Sequence, residues 1–148
     1  MLSESNLSLK NKSININLKT PQIMCKTTIH TLTVGATTAI PFPPTLANDQ
    51  GFTSITEPAD KNTTTLVKNG DIMIWKKSED ITDLNAITET GGDDVFSSNP
   101  KKQKDGTWKA TVGNFPANNT QSYSITYTVK NALENPYTQD PKIKMNPK

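Results

Sequence analysis

The chain contains no arginine: all 16 basic side chains are lysine, set against 14 acids for a net charge of +2. It therefore lacks the planar guanidinium fork that reads phosphates and base edges, and so small a charge implies no nucleic-acid or membrane partner. A single cysteine, Cys25, excludes an internal disulfide framework. Together with a single histidine, His30, it cannot complete a zinc site. The longest mostly apolar stretch, Ala39 to Pro44, is far too short to span a bilayer. The seven glycines form no phosphate-cradling pattern. No window carries an apolar stripe at i, i+3, i+4 behind a cap, and ten prolines shorten any helix.

Threonine and asparagine dominate instead, with 22 and 15 copies. Threonine packs its branched Cβ on pleated surfaces, while asparagine, glycine and proline mark turns, so the composition reads all-β. Residues 1–48 carry four lysines against Glu4, and the remainder is slightly acidic. That asymmetry divides the chain into an N-terminal extended arm, residues 1–26, and one sandwich domain, residues 27–148. In the arm Leu7 and Leu9 alternate with polar residues, as do Ile14, Ile16 and Leu18, which makes it competent to form a strand or to remain disordered. The opening residues lack the apolar middle of a signal peptide. The default expectation is the cytoplasm, with secretion as the alternative if Met24 and Lys26 lead to cleavage after Thr45-Leu46-Ala47.

Asn69-Gly70 lies between Thr63–Lys68 and Asp71–Lys76, a strong short-range hairpin signature because both loop residues tolerate positive φ. Clean alternation follows at Trp108, Ala110 and Val112, at Tyr123, Ile125, Tyr127 and Val129, and at Ile143 and Met145. With Ile29–Val34 and Phe52–Ile55 this predicts about seven strands in a two-sheet antiparallel Greek-key sandwich, with an immunoglobulin-like arrangement as the near alternative. Asp80–Asn99 is expected to be the longest irregular segment, in which Leu84 and Ile87 pack as a helical turn or a short strand.

The run Lys68-Asn69-Gly70-Asp71-Ile72-Met73-Ile74-Trp75 resembles the Gly-Asp-x-Val-x-Trp strand of cupredoxins, and Trp108–Gly113, Tyr123–Tyr127 and Ile143–Met145 resemble the later strands of that fold. The same Gly-Asp-to-Trp segment, taken with Asp140-Pro141, is also similar to bacterial inclusion-body-type proteins. Both resemblances imply a β-sandwich. A blue-copper site needs two imidazoles and a thiolate. Lys76-Lys77-Ser78 and Thr126–Val129 stand where the resemblance places those ligands, so no redox metal and no cofactor are expected.

His30 reads as a strand residue and Cys25 as an ordinary free thiol, so neither points to catalysis. The acids Glu79, Asp80, Asp83, Glu89, Asp93 and Asp94 do not match a calcium-loop spacing. Trp108, beside Lys101, Lys102 and Lys104, shares a face with Ala110 and Val112 and is expected to fill the core rather than to stack on nucleic acid. If Met73 and Trp75 face the core, as the resemblance implies, Ile72 and Ile74 face outward. Two isoleucines on that face call for cover by the arm or a neighbouring subunit, the equal alternative being a strand buried on both sides within one domain. The chain is thus expected to be a structural or self-associating module and not an enzyme. Leu7, Leu9, Ile14, Ile16, Leu18, Ile72 and Ile74 are its candidate interface, and a second copy of the chain is the expected partner. The alternative is a carbohydrate- or ligand-binding module with Tyr137, Asp93 and Asp94 as its loop residues and a glycan as its partner.

Overall fold

In a computed structural model of the chain, which describes residues 26–54 and 64–146, every regular element is a strand. They run β1 (Ile29–Ala36), β2 (Thr45–Asn48), β3 (Thr53–Ser54), β4 (Thr64–Val67), β5 (Ile72–Glu79), β6 (Ile81–Gly92), β7 (Phe96–Lys102), β8 (Trp108–Val112), β9 (Thr120–Val129), β10 (Tyr137–Gln139) and β11 (Lys142–Met145). The first sheet has the order β3-β2-β1-β5-β8-β7. The second has the order β10-β9-β11-β4, with β6 on the other edge of β9. Two sheets face each other across one core, as expected. They are mixed rather than antiparallel, however, because β1 pairs with β5 and β4 pairs with β11 in parallel.

The core forms because inward residues alternate along both central strands. Met73 and Trp75 of β5 meet Tyr123, Ile125, Tyr127 and Val129 of β9, all essentially sealed from solvent. Trp75 packs edge-to-face on Tyr123 (5.6 Å, 73°) and Phe96 (5.9 Å, 70°), an arrangement that sets ring edges against the π faces. Its indole N–H donates to the Tyr123 hydroxyl at 3.2 Å, so neither polar atom is stranded by burial. Trp108, opposite Trp75 in the β5–β8 ladder, is half-buried against this core and donates its N–H to Leu84 O at 2.9 Å.

Two sequence expectations fail for definite physical reasons. Asn69-Gly70 does not close a hairpin, because β5 has both edges taken by β1 and β8 while β4 belongs to the opposite sheet. The turn is a corner between sheets. Gly70 N–H and Asp71 C=O bond to Val112 of β8, and the Asp71 carboxylate accepts from Lys68 N–H at 2.8 Å. Asp80–Asn99 is not irregular either: it contains all of β6, the longest strand, and the start of β7. The register against β9 skips between Ile81 and Asp83, between Leu84 and Ala86, and between Glu89 and Gly91. Each bulge inserts an unpaired residue, so Ile81, Leu84 and Ile87 point inward at a spacing of three against Val129, Tyr127 and Ile125, and the period-2 signature is erased.

Candidate functional site

Strand alternation that buries Met73 and Trp75 turns Ile72 and Ile74 to the outer face of the first sheet. Register sets Ile29 of β1 and Thr111 of β8 beside Ile72, and Thr31 and Lys109 beside Ile74. The two central isoleucines are half-buried by these neighbours, and Ile29 is 57% exposed. The second sheet packs on the inner side, so no described strand lies over this face. The candidate interface residues Leu7, Leu9, Ile14, Ile16 and Leu18 lie outside the described residues.

At the end of the sandwich where β1 begins, the alternation that buries Leu32 and Val34 also carries His30 inward. Its Nδ1 lies 3.2 Å from Asp49 Oδ2 and its Nε2 lies 3.0 Å from Asp71 Oδ2. Asp71 also accepts from the backbone N–H of Thr28 at 3.1 Å, and Asp49 from that of Thr31 at 3.2 Å. The imidazole therefore ties β1 to two turns, with each ring nitrogen within hydrogen-bond distance of a carboxylate. The carboxylates stand on opposite edges of the ring and do not converge on one point, as a metal would require. Next to it Gln50 behaves as a one-residue strand: its amide accepts from Leu66 N–H (2.9 Å) and donates to Leu66 O (2.6 Å). A cleft of about 360 Å³ opens here, with Phe52, Leu66 and Lys68 on its walls.

Tyr137 is not in a loop. It belongs to β10, opposite Tyr127, and stands in a graded tower of rings. Tyr127 is buried, Tyr137 stacks on it at 5.8 Å, and Phe42, 43% exposed, stacks on Tyr137 at 6.3 Å. Asp93 is instead tied to Thr120, whose N–H it accepts at 3.2 Å, and Asn119 holds the Asp94 carbonyl at 3.2 Å. Thr120 and Tyr127 are separated by roughly 23 Å of β9, so Tyr137 does not share a site with Asp93 and Asp94. The other acids of this region are dispersed as well. Asp80 caps Thr38 N–H at 2.8 Å, and Asp83 pairs with Lys102.

Sequence reasoning placed His30 in a strand but missed Asp49, Gln50 and Asp71 around it. One signal was present: His30 shares its alternation with Leu32 and Val34, and a histidine turned inward needs partners. Their identity could not be read, because two segments distant from β1 in sequence supply them.

No protein-family model matches the chain, and no curated protein matches it. Among solved structures it is similar to the crystal structure of the inclusion body protein PixA from Burkholderia cenocepacia J2315. Identity is 8% and the TM-score 0.48, with 83% of this chain and 98% of that chain covered.

Proposed function

We propose that the chain is a non-catalytic structural module that associates with copies of itself through the outer face of its first sheet. The observation that carries this reading is the Ile29, Ile72 and Ile74 surface, an apolar group on a face where alternation calls for polar residues. The placement of His30 supports it, since the single histidine sits between two carboxylates as a structural clasp. Light scattering on the full chain over a hundredfold concentration range tests it. The mass should rise above that of one chain, and Ile74→Lys should return it to the monomer with little change in melting temperature. A parent chain that stays monomeric at millimolar concentration overturns the reading.

A further inference from the structure

An open sheet edge is a ready template for pairing with another chain, and here the described edges are blunted against it. β3 has two residues and β10 has three. β7 carries Pro100, Lys101 and Lys102 and two register shifts, and β6 is bulged three times. On β4 the outward N–H and C=O of Leu66 are filled by Gln50, and Lys68 N–H is filled by Asp71. What remains open is a face. Along β5 its isoleucines recur at every second residue, about 7 Å apart.

The part of the chain outside the described fold that matches this spacing is residues 1–25, which join the domain two residues before Thr28. In an extended segment Ile14, Ile16 and Leu18 share one side, with Asn15, Asn17 and Lys19 on the other. Thr28 is already locked in line with β1, its carbonyl accepting from Ile72 N–H at 2.9 Å and its N–H bound to Asp71. From there to Leu18 an extended path covers roughly 33 Å, more than the length of β1, and Pro21 favours that extension. Resting on the self-association reading above, we propose that the N-terminal segment of one copy lies across the Ile29, Ile72 and Ile74 face of the next, with Ile14 and Ile16 over the two central isoleucines. The contact is head-to-tail: each chain offers one arm and one face, which gives rings or open filaments.

Two full-length variants test this, one with the arm altered (Ile14→Lys with Ile16→Lys) and one with the face altered (Ile72→Lys with Ile74→Lys). Circular dichroism melts check that both fold, and Ile29→Lys serves as the face variant should the double change unfold the chain. Each variant alone should have the mass of one chain. Mixed in equal amounts they should form a 1:1 dimer and stop there, because the intact arm of one binds the intact face of the other. An arm variant that assembles like the parent, while the face variant does not, overturns the arm and leaves face-to-face association. A mixture that stays monomeric overturns the head-to-tail contact. A monomeric parent whose melting temperature falls on arm substitution means the arm covers its own face, and both readings fail.

Discussion

β5 and β9 are the central strands of their sheets and share an inner face of large buried side chains. Their outer faces differ. β9 shows Ser122, Ser124, Thr126 and Thr128, whereas β5 shows Ile72 and Ile74 before it turns polar at Lys76. A strand with one wet face should look like β9. The contrast within one molecule, under one composition, is what supports the proposal that the outer face of the first sheet is covered in an assembly.

The largest expected effect lies on the shared inner side. Trp75→Ala should lower stability by about 3–5 kcal/mol in a denaturant melt, since it removes the ring that joins Tyr123 to Phe96. A loss below 1 kcal/mol would break the premise that both strands bury equivalent inner faces. Tyr123→Phe is a smaller change. It leaves the Trp75 N–H without its acceptor and should cost about 1–3 kcal/mol at neutral pH.

The same residue carries a pH signature. Burial, only partly offset by the Trp75 hydrogen bond, pushes the Tyr123 phenol well above its ordinary value of 10. The folded state keeps this proton after the unfolded chain begins to release it. The contribution is therefore complete below about pH 10 and declines as pH rises further, by at most about 1.4 kcal/mol per unit. Melts from pH 8 to 11 should fall more steeply for the parent than for Tyr123→Phe, and parallel curves would refute the assignment.

The smallest effect on stability sharpens the comparison itself. Exchanging one outer residue in each sheet, Ile74→Thr and Thr126→Ile, should move stability by less than about 1 kcal/mol in either case. Only Ile74→Thr should reduce association measured by light scattering. Equal effects on association from both exchanges would show that the two faces are not distinct.

Much of this was legible in the residues. Alternation at Tyr123–Val129 and at Trp108–Val112 marks strands with the observed inward sets. Along β5 the run Ile72–Trp75 is apolar throughout, so periodicity does not choose its core side, and the resemblance alone points to Met73 and Trp75, the pair the structure buries. Pairing was less legible. Asn69-Gly70 encodes a turn but not whether its strands share a sheet, and the competition of β1 and β8 for β5 decides that. β6 was lost because bulges replace a period of two by a period of three. Tyr137 was placed in a loop because its flanking prolines outweighed a strand of only three residues. The His30 clasp draws on residues 30, 49 and 71, and no local pattern announces a meeting of one strand with two distant turns.

β11 has a consequence for the order in which the protein is made. It lies between β9 and β4, bonded in parallel to Thr64–Val67 and antiparallel to Thr120–Ser122. On the ribosome β4 emerges long before β11, and no other described strand pairs with it. Until Ile143 and Met145 arrive the second sheet is split, and β4, with Val67 on its inner side, has no neighbouring described strand and is held laterally through the Gln50 amide on Leu66. The pairing that completes the sandwich is also a long-range parallel one, a slow kind to form. A nascent chain stopped short of Lys142 thus holds all six strands of the first sheet and a broken second one, so the sandwich closes only once β11 has emerged.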